Sequence, residues 1–172
     1  MYNNYSNRAF FQEPRFYKTQ NSISEEIRIQ TVELLNQTLA TTIDLRSQVR
    51  QAIWSMRGPG FYQMYLLLNE IVDQMERQVD AIAQRISALA STPLVSIRST
   101  AQASQLSEYP FDVISVEETI DILIEKVGFQ SRHLRLAIEQ TNDLEEANTA
   151  SLYAEISRET DQCLWLLEAH RL

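Results

Sequence analysis

The feature that most constrains this chain is a four-residue break, Arg57-Gly-Pro-Gly60, between two long segments free of glycine and proline. Before the break, Val32, Leu35, Leu39, Val49 and Ile53 fall mostly at three- and four-residue steps; after it, Tyr65, Leu68, Val72, Met75, Val79, Ile82 and Ile86 do the same. That spacing puts one apolar stripe on a helix, whereas a strand would alternate with a period of two. The spacing predicts helices over about 23–56 and 60–89, the first about 50 Å long at 1.5 Å per residue. Gly58 can take the positive φ that ends one helix, and Pro59 suits the first turn of the next. Two long helices joined by so short a turn must pack antiparallel.

Later signals complete the plan. Ser22-Ile-Ser-Glu25, Ser115-Val-Glu-Glu118 and Asp143-Leu-Glu-Glu146 each fit a capping box, where a side chain at the helix start satisfies an orphan amide. The second and third predict helices to about 141 and from there to about 170, carrying Ile120, Leu123, Ile124, Val127, Leu134 and Ile138, then Leu152, Ile156, Leu164 and Leu167. Residues 91–114 hold both Pro93 and Pro110 and form a connection long enough to span a bundle, with room for a short helix near 95–104. The expected fold is all-α: a four-helix bundle with one long crossover that carries a short helix, a ferritin-like connectivity. Residues 22–172 make up this domain, and residues 1–21 read as a flexible N-terminal arm without helical period.

Composition narrows the partners. With 172 residues the chain can bury a core as one domain, and its net charge of −8 favours cations over nucleic acid along the body. The arm departs from this, since Arg8, Arg15 and Lys18 stand against Glu13 among aromatic rings. It reads either as a weak DNA-binding arm or as a segment that lays its rings on its own body or a neighbouring subunit. The single Cys163 forms no intrachain disulfide and is expected buried and inert. No apolar run reaches the roughly 20 residues a bilayer needs, and the start lacks a signal-peptide core, so a cytoplasmic location is expected.

The corner carries a resemblance. Trp54, Arg57, Gly58 and Phe61, followed by Asp80, Ile82, Ala83 and Arg85, match the Trp-x-x-(Lys/Arg)-Gly-x-x-Phe and Asp-x-Ile-Ala-x-Arg signature of the Dps family, the mini-ferritins. The crossover helix and the ending WLLEAHRL also fit, so the likeness covers about residues 23–172. It implies a homo-oligomeric, twelve-subunit hollow cage that oxidises ferrous iron with peroxide or oxygen and stores the ferric product. It also implies a ferroxidase site between two subunits, with Trp54 as its redox neighbour.

At the positions where the family carries two His, an Asp and a Glu, this chain has Ile53, Tyr65, Asp80 and Gln84. Ile53 offers no donor atom, the Gln84 amide replaces a carboxylate, and Tyr65 binds metal only as a phenolate. The positions implied for mineral nucleation read Leu66, Asn69 and Glu70. Those implied for the entry pore read Asn142, Ala147 and Ser151, with Asp143, Glu145 and Glu146 adjacent. Asp73, Glu76 and Asp80 share a face of the second helix; they form either a relocated metal site or a surface answered by Arg46 and Arg50. His133 and His170 lie remote in sequence from the corner. The candidate iron ligands are therefore Asp80 and Glu70, with Tyr65 and Glu76 beside them. Three readings follow: a cage that binds and sequesters iron with its ferroxidase site largely lost; a non-catalytic cage or co-assembly subunit; and a cage that protects DNA through its arm.

Overall fold

A computed structural model of the chain describes residues 14–171. It contains five helices: α1 (Glu25–Ser55), α2 (Phe61–Ala88), the short α3 (Ile97–Ala103), α4 (Val116–Asp143) and α5 (Ala147–Ala169). Side-chain bonds fix how they run. Arg28 reaches Leu89 O at 3.1 Å and Arg50 reaches Asn69 at 2.8 Å, so α1 and α2 are antiparallel. Ser131 bonds Asp161 at 2.8 Å, and Arg171 pairs with Asp121 at 2.9 Å, which makes α4 and α5 antiparallel too. Thr38 meets His133, and Thr42 accepts from Gln130, so α4 descends beside an ascending α1.

The crossover must therefore climb the length of the bundle, and it climbs along α1. Leu94 N bonds Asn36, Gln37 bonds Ala103 O, Ser104 bonds Asp44, and Gln48 bonds Ser107 O, each within 2.5–3.0 Å. Lys126 from α4 donates to the same Ser107 carbonyl at 2.7 Å. Burial lowers the pKa of this lysine, while Asp44 and Glu125 oppose the shift.

The apolar stripes close two cores. The one near the corner gathers Val49, Ile53, Met64, Leu68, Leu123 and Leu167; the other gathers Leu35, Leu39, Ile82, Ile86, Leu134 and Ile156. Within the second core the Tyr153 ring is buried, and the Thr38 hydroxyl is 3.2 Å from both the Tyr153 hydroxyl and His133 Nε2. Tyr65, expected on the apolar stripe of the second helix, is 39% exposed, because Met64 takes the inward position and is buried.

Three boundaries differ from the sequence expectation, each for a local reason. The α1 cap is Ser24, not Ser22: its hydroxyl accepts from Ile27 N at 3.3 Å. Asn21 holds the entry extended by accepting from Ile23 N and donating to Ala88 O, which delays the helix start. At the corner Gly58 (φ 110) and Gly60 (φ 77) both use left-handed backbone, so Pro59 lies in the turn and α2 starts at Phe61.

The cap of α5 is Glu146, not Asp143. Helix α4 runs on to Asp143 and closes with Glu145 N on Asn142 O and Glu146 N on Thr141 O, at 2.9 and 3.0 Å. This is the double bond of a Schellman ending, with Glu145 at φ 57 in the place usually held by glycine. Helix α2 ends the same way: Ala90 (φ 58) donates to Ser87 O and Ser91 donates to Ile86 O.

Residues 14–17, assigned to the arm, lie against this end of α2. Phe16 forms an antiparallel bridge with Ser91, Tyr17 N bonds Ala90 O at 2.8 Å, and the Phe16 ring packs on the second core. No helix among the described residues is long and apolar enough to cross a membrane.

Candidate metal centre

A signature residue, Arg57, ties the corner together. The Arg57 guanidinium reaches back to the carbonyls of Trp54, Ser55 and Met56 at 2.9, 3.2 and 2.7 Å. A cation here answers the last free carbonyls of α1 and the negative end of its dipole. Arg57 N also bonds Ile114 O at 2.6 Å and so ties the corner to the entry of α4.

This anchoring sets the exposure of two adjacent residues. Ile53 is 3% exposed and belongs to the corner core, whereas Trp54 is 71% exposed on the outside of α1. Beyond the turn, Tyr65 leans on the Phe61 ring, with centroids 5.8 Å apart. Its backbone carbonyl accepts from Asn69 Nδ2 at 2.6 Å, and the Asn69 side-chain oxygen Oδ1 accepts from Arg50. Glu70, Asp73, Glu76, Asp80 and Gln84 continue down α2, all exposed.

These residues do not converge within one subunit. Tyr65 and Asp80 are fifteen positions apart on one helix, or about 22 Å at 1.5 Å per residue. Glu70 and Asp80 are about 15 Å apart by the same rise. Among the described residues no group of three His, Cys, Asp or Glu side chains is close enough to share a metal ion. A di-iron centre therefore does not fit the residues of a single chain.

Arginines answer part of the acidic face. Arg46 pairs with Glu76, as the sequence reading allowed. Arg50 instead bonds Asn69 and does not reach Asp80. Glu70, Asp73 and Asp80 make no ion pair among the described residues, so they are the carboxylates open to a cation.

The histidines are placed apart from this face. His133 is half-buried on α4, with the Phe129 ring stacked 10° from parallel and Nε2 on Thr38; burial lowers its pKa. His170 lies at the far end of α5, with Nδ1 2.7 Å from Leu166 O. Cys163 is buried against Gln74 at 3.3 Å, and burial pushes its thiol up to about 11, which makes it a poor nucleophile and ligand.

Near the α4–α5 turn, Glu146 was a candidate for the pore lining, but the structure assigns it elsewhere. It is 3% exposed, pairs with Arg85 at 2.9 Å and accepts from Thr149 N at 3.0 Å. The Thr149 hydroxyl also donates to this carboxylate and accepts from Arg85 Nε. Burial opposes ionisation of Glu146, but the bonds from Thr149 and Arg85 outweigh it and hold the carboxyl below its ordinary range. Asp143 and Glu145 remain exposed at this end. The one sequence signal for Arg85 is its place in the signature after Asp80.

On the N-terminal strap, Arg15 and Lys18 are exposed, and the Arg15 guanidinium lies 5.4 Å from the Tyr17 ring centroid. Arg8, the other candidate for DNA contact, lies outside the described residues.

Helix order, the climbing crossover and the capped corner together define a ferritin-like bundle. A family model for the ferritin-like domain matches residues 32–171. The chain is 32% identical over 154 residues to the DNA protection during starvation protein of Agrobacterium fabrum, covering 90% of this chain and 95% of that one. DpsC from Streptomyces coelicolor superposes with a TM-score of 0.86 at 23% identity, covering 91% of this chain and 92% of its own. The Dps protein of Vibrio cholerae O1, described as a member of a broad superfamily of ferritin-like diiron-carboxylate proteins, gives 0.80 at 20% identity over 88% and 98%. The chain belongs to the Dps family of ferritin-like proteins.

Proposed function

We propose that copies of this chain assemble into a hollow, twelve-subunit cage that binds and sequesters iron as its cargo, with the usual ferroxidase site between subunits largely lost. The observation that carries the reading is Ile53. At the position where the family resemblance calls for a histidine, the side chain is 3% exposed and fills the corner core. A side chain without donor atoms, built into packing, cannot be recruited by a small rotation. Tyr65 and Gln84 depart from the pattern on the neighbouring helix, which leaves Asp80 as the one retained ligand type.

Two features support iron as cargo. Tyr65 and Asp80 sit too far apart for one subunit to use both, so any shared site spans two copies, as the family pattern requires. The open carboxylates Glu70, Asp73 and Asp80, on a chain of net charge −8, concentrate divalent cations by their field. That field favours binding; it does not supply the paired ligands that fast oxidation needs.

The test is a ferrous iron titration of the purified assembly, followed by ferric absorbance with oxygen and then peroxide, beside a protein-free control. Expected are oxidation close to the control rate and retention of ferric iron in the particle, reduced by Asp80→Ala. Fast protein-dependent turnover would refute the loss of the ferroxidase, and failure to retain iron would refute the cargo.

A further inference from the structure

A second set of metal donors lies away from the α2 face, at the corner end of the bundle. There the corner turn, the first turn of α4 and the C-terminal end of α5 enclose a cleft of about 510 Å³ lined in part by Gln63, Glu117, His170 and Arg171. We infer that this cleft is a binding site for a divalent transition-metal cation, held by His170 Nε2 and the Glu117 carboxylate, with the Gln63 amide oxygen and water completing the shell.

The state of His170 is the first argument. Its Nδ1 lies 2.7 Å from Leu166 O. A carbonyl oxygen only accepts, so the proton sits on Nδ1 and the lone pair of the neutral ring sits on Nε2. A backbone carbonyl holding one ring nitrogen is the usual support behind a metal-binding imidazole, because it fixes both tautomer and ring direction. By contrast, Nε2 of His133 is engaged with Thr38.

Arg171 grips Asp121 on α4 at 2.9 Å. Glu117 is one helical turn before Asp121 and shares its face. That ion pair fixes the end of α5 against the first turns of α4, where His170 and Glu117 line the same cleft. The same pair neutralises Arg171, which would otherwise repel a cation from the cleft.

The chemistry then selects the ligand. One imidazole nitrogen with carboxylate and amide oxygens suits Zn²⁺, Co²⁺ or Fe²⁺, and not the all-oxygen shells of Ca²⁺. An anion is disfavoured because Glu117 and Glu118 occupy the first turn of α4 and Ser115 already caps it. Two charged or imidazole donors make a weaker site than a closed four-ligand one, and protons compete with the metal for such donors.

The inference goes beyond the iron-cargo reading and does not depend on it, because Zn²⁺ has no redox chemistry. The experiment uses the full-length assembled protein and Zn²⁺ alone as probe. Calorimetry at pH 7.5 and pH 5.5 is run on the wild type, His170→Gln and Glu117→Gln, with anomalous diffraction from Zn²⁺-soaked crystals. Expected is one ion per subunit, with anomalous density between residues 117 and 170. Binding should weaken tenfold or more in His170→Gln, less in Glu117→Gln, and fall at the lower pH. Both variants are surface changes, and their circular dichroism and particle size check that the fold is kept. Equal Zn²⁺ binding in wild type and His170→Gln, or anomalous density only on the α2 carboxylates, would overturn it, whatever the outcome for iron.

Discussion

Glu146 and Arg85 offer the sharpest test of how this bundle is held together. The carboxylate is 3% exposed, its arginine partner 16%, and the two are 2.9 Å apart. Removing one member of a buried pair costs about 3–5 kcal/mol, because the survivor is left unpaired in a poor solvent. Glu146 is also the N-cap of α5, and loss of a cap costs about 1 kcal/mol. Arg85 keeps some exposure and can turn partly to water, so Glu146→Ala is expected at the lower end, about 3 kcal/mol. For a chain of this size that is a fall in Tm of about 6–12 °C.

The assay is thermal and urea unfolding by circular dichroism at one fixed protein concentration, since assembly itself shifts apparent stability. A double-mutant cycle isolates the pair. Arg85→Met with Glu146→Leu removes both charges and should be more stable than either single variant, with a coupling above about 1 kcal/mol. The pH dependence follows from the lowered carboxyl. A folded pKa below the unfolded one gives stability that is present above about 4.5 and is lost as pH falls through the folded value. Glu146→Gln should lack that acid-side loss. If Glu146→Ala stays within 1 kcal/mol of the parent, if the cycle shows no coupling, or if Glu146→Gln loses stability in acid as steeply as the parent, the buried pair does not hold α5 as argued.

Two smaller tests probe other parts of the fold. Burial lowers the His133 pKa below its ordinary 6.5, so the folded state favours the neutral ring; stability should fall as pH drops through about 6.5, and His133→Gln should flatten that slope in urea titrations at stepped pH. Ala90 ends α2 at φ 58, where a Cβ costs about 1–2 kcal/mol, partly offset by the backbone entropy glycine loses on folding; Ala90→Gly should therefore raise stability by roughly 0.5–1 kcal/mol in urea melts.

The corner shows how local chemistry was legible. Gly58 adopts the positive φ that its residue type announces, and Ser115 caps α4 with Glu118 N on its hydroxyl at 3.2 Å. The stripe residues Val32, Leu35, Leu39, Val49 and Ile53 are all buried, because helical spacing alone determines which side chains share a face. Where two signals competed, sequence was a poor judge. Ser22 and Ser24 both precede a glutamate, and the bonds Asn21 makes to Ala88 O at the end of α2 and to Ile23 N decide between them. Tyr65 and Met64 are adjacent in sequence at the start of the stripe, and the packing of α2 on its neighbours decides which points inward.

The fold class and the helix order follow from the sequence itself, because periodicity and turn chemistry are properties of residues and their spacing. What only the tertiary structure decided is which charges meet. Glu146 became a buried cap through Arg85, sixty-one positions away; Arg50 chose Asn69 over Asp80; and Arg171, at the end of α5, met Asp121 on α4. A charge pair depends on distances of a few ångströms set by helix register, and no one-dimensional pattern carries that register.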